Sequence, residues 1–427
     1  QMKPSGIDWI GDIPKSWKVT RLQTLFDQVK DKNSGTKEKN LLSLSYGKIV
    51  KKDIEGAFGL IPESFDTYNI IKKNDIVLRL TDMQNDQVSL RTGLVKEEKG
   101  IITSAYVTIR LKCGSPSYYH WYLYAFDTSK QIYAFGQGVR QSLTFEELKK
   151  MLILLPSPKE QQAIADFLDE ECAQIDSIAA DLEKQIVLLQ QYKKSLITET
   201  VTKGLDKSAP MKDSGVEWIG KIPEHWQKTR IKFEASIIGS GTTPDSGNSM
   251  YYDNGEHSWI QSGDLYGKDY IYETEKQLTN LAILECHALN WYTKDFVVVA
   301  MYGASVGNVA ISKIDSFTNQ ACCVIKLNEK NDNRYLFYFL KAAQEEMLLK
   351  AFGGTQPNIS QIIIKNLNFL NVPLLEQIEI ADFLDSKCDM INEMLKSKKD
   401  QYDILIKHKK SLIYEYVTGK KRVKEVQ

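Results

Sequence analysis

Residues 157–204 read SPKEQQAIADFLDEECAQIDSIAADLEKQIVLLQQYKKSLITETVTKG, and this stretch decides the fold. Ser157 suits a helix N-cap, Pro158 suits the first helical position, and Glu160 completes an S-x-x-E capping box. Apolar residues then return every seventh position, at Leu168, Ile175, Leu182, Leu189 and Leu196. Ile164, Ile178 and Tyr192 form a second row, with Ile186 close by. Such a repeat is the signature of a coiled-coil seam. Gly204 is placed to stop the helix. At 1.5 Å per residue, about 45 residues span roughly 65–70 Å.

The same sentence is written again further on. IADFLDEECAQI (164–175) returns as IADFLDSKCDMI (380–391), and YKKSLITETVT (192–202) as HKKSLIYEYVT (408–418), both at an offset of 216 (380 minus 164). The second seam is Leu384, Ile391, Lys398, Leu405 and Leu412, flanked by Cys388, Leu395 and Tyr402. Lys398 is its weak point, and Gly419 sits at the expected stop. Upstream, PSGIDWIGDIPKSWKVTRL (4–22) returns as DSGVEWIGKIPEHWQKTRI (213–231), at an offset of 209 (213 minus 4). The chain is thus a tandem duplication: opening motif, globular part, long helix, twice over. Its expected domains are 1–155, a central helix 156–205, a second globular domain 206–372 and a C-terminal helix 373–427, with KSAPMKD (207–213) as linker. The tryptophans of the opening motif (Trp9, Trp17, Trp218, Trp226) read as packing a turn onto each domain rather than as ligand contacts.

The early part of each helix is acidic (Glu160, Asp166, Asp169, Asp176; Asp382, Asp385, Asp389) and the late part basic (Lys193, Lys194; Lys407, Lys409, Lys410). This suits the helix dipole, and it favours an antiparallel pair with a globular domain at each end, related by a pseudo-twofold axis. The charges are equally readable as solvated faces. Ile186, Leu188, Ile197, Ile404, Ile406 and Ile413 lie partly off the seam. They read either as a docking face for helices of another protein or as cover for the bases of the two domains.

The globular parts hardly match one another. In the first, 41–50, 75–80, 89–95 and 104–111 read as strands, with short helices at 118–126 and 143–149. In the second, 257–261, 295–301, 307–312 and 320–327 read as strands and 334–352 as a helix. Both place a polar glycine turn ahead of the long helix, GQGVRQSL (136–143) and GGTQPNIS (353–360). A duplicated scaffold with diverged inserts suits a protein that holds two different readers.

Composition excludes much. The 427 residues carry 55 Lys and Arg against 55 Asp and Glu, for a net charge of +0, so any nucleic-acid face must be built by segregation. The six cysteines show no C-x-x-C spacing, so zinc is not expected and free thiols suit a reducing compartment. The longest apolar run, 296–311, is too short for a membrane span, and the expectation is a soluble cytoplasmic protein. No P-loop motif occurs, and the Asn/Asp-Pro-Pro-Tyr/Phe tetrapeptide of amino-methyltransferases is missing. GSGTTP (239–244) and GASVGN (303–308) are followed by no nucleotide-binding βαβ unit, and the five histidines are isolated. No catalytic constellation and no metal site emerge.

Taken together, the chain resembles the specificity subunit of a type I restriction–modification system. The resemblance is carried by the opening motif Gly6–Trp17 with its echo Gly215–Trp226, and by EQQAIADFLD (160–169) with EQIEIADFLD (376–385). WIQSGDL (259–265), VVVAMYGASVGNVAI (297–311), Asn319–Gln320 and GGTQPNIS look like one variety of target-recognition domain. LSLSYGKIVKKDIEG (42–56), DIVLRLTDMQNDQVSLRTG (75–93) and GVRQSLTFEELK (138–149) look like another. The resemblance covers nearly the whole chain. It implies an α+β fold with two target-recognition domains separated by two long antiparallel helices in a coiled coil. It further implies a non-catalytic chain that reads one half of an asymmetric, two-part site in double-stranded DNA with each domain. The helix pair would set the spacer and bind two modification subunits. Cofactors would belong to partners: S-adenosylmethionine for adenine N6-methylation in the modification subunits, and ATP and magnesium in restriction subunits where these are present. A two-headed DNA-binding regulator and a coiled-coil scaffold are the competing readings.

Base edges are read by Arg or Lys at guanine and by Asn or Gln at adenine, while small hydroxyls and lysines suit phosphates. In the first domain the expected DNA contacts are Lys48, Lys51, Lys52, Arg79, Gln84, Asn85, Gln87, Arg91, Arg140, Gln141 and Ser142. In the second they are Ser240, Thr242, Thr243, Gln261, Ser262, Tyr302, Ser305, Thr355, Gln356 and Asn358. For any single residue a turn-capping role competes.

Overall fold

A computed structural model describes residues 1–52, 64–83, 90–134, 142–352 and 357–423. The chain forms two compact units, Gln1–Glu183 with Lys399–Gln427, and Lys184–Lys398. Both long helices form, at Pro158–Lys203 and Leu374–Val417. The central helix starts as its cap requires: the Glu160 amide donates to Ser157 Oγ (3.3 Å), and the Ser157 amide donates back to Glu160 Oε2 (3.3 Å). Gly204 and Gly419 take φ of +74° and +73°, the left-handed conformation that ends a helix at glycine.

Within each unit the two helices run antiparallel. In the first, Lys409 Nζ meets Asp176 Oδ1 (2.5 Å) and Tyr402 hydrogen-bonds Glu183. In the second, Lys193 Nζ donates to Asn392 Oδ1 (2.9 Å). The paired numbers (176 with 409, 183 with 402, 193 with 392) all add to 585, so one register holds in both units.

Each unit carries the same antiparallel sheet on this base. In the first it comprises β1 (Phe26–Gln28), β2 (Ile76–Leu78), β3 (Thr92–Leu94) and β4 (Val107–Leu111), in spatial order β1-β4-β2-β3. The second has β5 (Ala235–Ser240), β6 (Phe296–Ala300), β7 (Val309–Ser312) and β8 (Cys322–Leu327), in order β5-β8-β6-β7, with Tyr270–Ile271 added parallel at the edge. Registers agree as well as order. Val107 faces Leu78 and Ile109 faces Ile76, while Cys323 faces Val299 and Ile325 faces Val297. The opening motif also repeats: Met2 faces Pro14 and Arg21 faces Leu152, as Met211 faces Pro223 and Arg230 faces Asn368.

Two expectations need correction. The stretch 41–50 is a hairpin rather than one strand, because Tyr46 and Gly47 take φ of +48° and +77° and turn the chain between Leu42–Ser45 and Lys48–Lys51. The helix expected over 334–352 breaks at Ala343 into Asn333–Ala342 and Gln344–Leu349.

The cores explain why the helices are part of the units. In the first unit Trp17, Phe26, Tyr118, Tyr122 and Ile153 pack with Leu168, Cys172 and Ile175, and also with Leu412, Ile413 and Val417. In the second, Trp226, Val297, Tyr335 and Phe339 pack with Leu384 and Cys388, and with Ile197 and Val201. Trp17 Nε1 donates to Glu160 Oε1 (3.2 Å) and Trp226 Nε1 to Glu376 Oε2 (2.9 Å), so the opening-motif tryptophans clamp helix starts. Burial disfavours ionised Glu160, but hydrogen bonds from Trp17, Ser157 and Arg422 outweigh it and hold its pKa below the ordinary value.

The off-seam residues divide. Ile197 and Ile413 are buried in the unit cores, whereas Leu188 and Ile404 are exposed. Ile178 and Tyr192, expected beside the seam, are exposed as well.

Candidate nucleic-acid interface

Among the early acidic residues of the helices, Asp169 and Asp385 face the globular domains. Asp169 accepts from Ser117 Oγ (2.8 Å) and Trp121 Nε1 (2.7 Å). Asp385, its counterpart, accepts from Tyr270 (3.0 Å) and Tyr338 (2.6 Å) and pairs with Arg334 (2.9 Å). Asp269 joins the second domain to its helix base through Lys193 and pairs with Lys341 of the domain's own helix Asn333–Ala342. Burial raises its pKa, the two lysines lower it further, and the net position is below the usual carboxylate range. These contacts set each domain on its helices and leave the opposite strand ends to carry the loops.

In the second unit those loops are tied into one cluster. Ser240 ends β5, Ala300 ends β6, and Cys322 begins β8 beside them. Thr242 N donates to Thr318 O (3.1 Å), Asn319 N to Ile260 O (2.9 Å), Met301 N to Ala321 O (2.7 Å) and Ile359 N to Met301 O (2.7 Å). A Cβ on Gly241 would overlap the Thr318 carbonyl, so only glycine permits this approach. The segments carrying Ser240, Thr242, Thr243, Gln261, Ser262, Tyr302, Ser305 and Asn358 are thereby brought together.

Their side chains differ in what they offer. Asn358 is exposed, while Ser240, Thr242, Thr243, Gln261, Ser262 and Tyr302 are half-buried. Gln261 caps the turn Ser262–Leu265 together with Asp264, whose Oδ2 accepts from the Gln261 amide (2.8 Å). Ser305 is buried and donates to Ser262 O (2.6 Å), which makes it a loop tie rather than a surface group. Thr355 and Gln356 lie outside the described residues.

The first unit repeats the logic with other residues. Leu143 N donates to Leu80 O (2.8 Å), the counterpart of the Ile359–Met301 bond, so exposed Ser142 lies beside the segment that follows β2. Arg79 stands half-buried just after β2. The tip of the 42–51 hairpin packs on Leu90, where a Cβ on Gly47 would stand 2.9 Å from Leu90 Cβ, and it reaches the side of the long helix. Lys48, Lys51 and Lys52 are exposed on this hairpin, and Lys48 Nζ lies 3.7 Å from Asp176 Oδ2. Gln84, Asn85, Gln87, Arg140 and Gln141 lie outside the described residues.

Arg91 is the correction. It is fully buried, and its guanidinium donates to Thr81 O (2.9 Å), Arg79 O (3.2 Å), Asp82 O (3.3 Å) and the Tyr133 hydroxyl (3.3 Å). A polar loop rich in carbonyls needs donors inside it, and Arg91 supplies them. In this structure its guanidinium ties the backbone of Arg79, Thr81 and Asp82 to the Tyr133 side chain.

Among the described residues no group of His, Cys, Asp and Glu could hold a metal ion. No helix among them is long and apolar enough to cross a membrane.

Residues 14–187 and 223–401 each match the family described as the type I restriction modification DNA specificity domain, and the chain belongs to that family. It is a type I specificity subunit with two recognition domains. A putative type I restriction enzyme specificity subunit of Methanocaldococcus jannaschii, MjaX, is 26% identical across 97% of this chain and 96% of its own length. The MjaVIII specificity subunit of the same organism is 24% identical across 97% of this chain and 95% of its own. Among solved structures, a chain from work on complex assembly and conformational transition of the type I R-M system superposes with a TM-score of 0.71. It covers 95% of this chain and 98% of its own at 14% identity. The HsdS subunit from Thermoanaerobacter tengcongensis gives 0.51 with the same coverage and identity. At that identity the two structures establish the fold alone.

Proposed function

We propose that the recognition domains 1–155 and 206–372 each read one half of an asymmetric, two-part sequence in double-stranded DNA. The helical segments 156–205 and 373–427 set the unread spacer between the half-sites and dock two modification subunits. One observation carries this reading: two sheets share the order of four strands and the register of the central pair, yet present unlike loops at the same strand ends. A shared frame with different loops suits two readers of different sequence on one support.

In the first domain the contacts are Lys48, Lys51 and Lys52 on phosphates, with Arg79, Ser142, Gln84, Asn85, Gln87, Arg140 and Gln141. In the second they are Ser240, Thr242, Thr243, Gln261, Ser262, Tyr302 and Asn358, with Thr355 and Gln356. Exposed apolar side chains on the helices support the docking role: Ile178 and Ile404 in one unit, and Val187, Leu188, Met390 and Met394 in the other. The chain itself is a recognition component. S-adenosylmethionine and adenine N6-methylation belong to the modification subunits, and ATP and magnesium to restriction subunits where present. The complex works on chromosomal DNA in the cytoplasm.

Co-expression with the modification subunit, followed by mapping of N6-methyladenine across the host genome, tests this reading. One asymmetric two-part motif is expected. A stable complex that leaves no methylated motif would refute it.

A further inference from the structure

Gln320 stands outside the set chosen from the sequence, yet it occupies the middle of the second unit's loop cluster. It is exposed between buried Asn319 and Ala321. The backbone beneath it is a tight turn, closed by the Cys322 amide on Asn319 O (3.2 Å). That turn is held from three sides. Asn319 N donates to Ile260 O (2.9 Å), Ala321 N donates to Asn319 Oδ1 (3.1 Å), and Met301 N donates to Ala321 O (2.7 Å). The turn cannot shift without breaking the ends of strands β6 and β8.

The side chain is held as well. Thr243 Oγ1 donates to Gln320 Oε1, and the Gln320 side chain hydrogen-bonds the Tyr302 hydroxyl. Thr243 can stand there because Gly241 lets its strand close over Thr318. A glutamine amide has two acceptor lone pairs and two N–H donors. Thr243 takes one lone pair, and Tyr302 takes one N–H. One acceptor and one donor are left on an exposed group. The major-groove edge of adenine offers the matching pair, an N6 amino donor next to the N7 acceptor. Beyond Tyr302 the chain continues as exposed Gly303 and Ala304, which leave room for a base edge to approach. A free surface glutamine would have to lose rotamer freedom on binding, and this one has already lost it in folding.

We propose that Gln320 is a base-reading residue of the second recognition domain and selects adenine at one position of the second half-site, with Thr243 and Tyr302 as positioning residues. The proposal rests on the DNA-reading function given above. Gln320 Nε2 donates to adenine N7, and Oε1 accepts from the N6 amino group.

The test uses the full chain assembled with its modification subunits and duplex DNA carrying the mapped motif. Each of the four bases is placed in turn at every position of the second half-site, and affinity is measured. The wild type is expected to demand adenine at one position. Gln320→Ala should lower that demand on the order of tenfold to a hundredfold, leaving first-half preferences unchanged as an internal control of folding. Gln320→Glu should move the preference toward cytosine, whose N4 amino group donates to a carboxylate. Thr243→Val should weaken the adenine preference at the same single position, in the same direction as Gln320→Ala. Unaltered preferences in Gln320→Ala, with the wild-type motif intact, would overturn the proposal and leave the DNA-reading function standing. A wild-type complex with no sequence preference would overturn both.

Discussion

Ile413 and Ile197 provide the sharpest test of how the two units are built. They are 216 positions apart (413 minus 197), each near the end of a long helix, and they are 0% and 5% exposed. Ile413 lies far along the chain from residues 1–155 but packs in the core of Trp17, Tyr118 and Leu168. Ile197 packs in the core of Trp226, Val297 and Phe339. Truncating a buried isoleucine to alanine costs about 2–5 kcal/mol, the lost transfer energy plus the cavity left behind. Domain stabilities run at about 5–15 kcal/mol, so either substitution should raise the open population of its unit by roughly thirtyfold or more. Hydrogen exchange read by mass spectrometry at peptide resolution resolves the two units. Ile413→Ala should speed exchange in β1, β2 and β4 while β5, β6 and β8 keep their protection, and Ile197→Ala should do the reverse. Ile404→Ala, at a site 66% exposed, should stay within about 0.5 kcal/mol of the parent. Loosening of the second unit by Ile413→Ala, or unchanged protection in the first, would refute the assignment of helix ends to cores.

Gly241→Ala should displace the Thr318 carbonyl and break the Thr242–Thr318 bond. About 1–3 kcal/mol of stability should be lost, with weakened selection in the second half-site only, checked by thermal unfolding and motif mapping. His120 is nine-tenths buried, its Nδ1 has no hydrogen-bond partner, and burial, then Lys96 and Lys409, push its pKa down to about 4 from 6.5. The unfolded chain therefore takes up this proton near pH 6.5 and the folded chain only near 4, so acidification across that window costs stability and pH above it does not. His120→Phe should flatten the stability–pH curve of the first unit between those limits by up to about 3 kcal/mol, and an unchanged slope would remove His120 as the cause. Whole heptads inserted after Leu182 should lengthen the recognised spacer. A fixed spacer in an active complex would end the ruler idea.

The long helices were legible because their signals are local. A cap at Ser157, a seven-residue repeat and glycines at 204 and 419 need no tertiary information. The width of the buried face was not legible, since Ile178 and Tyr192 differ from Ile197 and Ile413 only in what stands opposite. Strands β6 and β8 announced themselves through runs of valine, isoleucine and cysteine. Phe26–Gln28 did not, because a short edge strand of mixed polarity carries almost no periodicity. The common sheet was hidden because order and register survive where side chains do not. The burial of Arg91 was not legible, because a donor to backbone carbonyls and an exposed arginine look alike in a polar stretch. Asn319–Gln320 was legible as a motif of the resemblance, but its strand-like sequel, ACCVIKL, gives no sign of a turn held between Thr243 and Tyr302.

The division of the chain also sets an order of events during synthesis. The second unit is continuous in sequence, Lys184–Lys398, but the first needs Lys399–Gln427 to complete its core. A nascent chain leaving the ribosome holds residues 1–183 for more than two hundred further residues before Leu412, Ile413 and Val417 arrive. Closing so long a loop is slow, and an uncovered apolar core invites capture by chaperones in the interval. The recognition domain made first is therefore the last to become native.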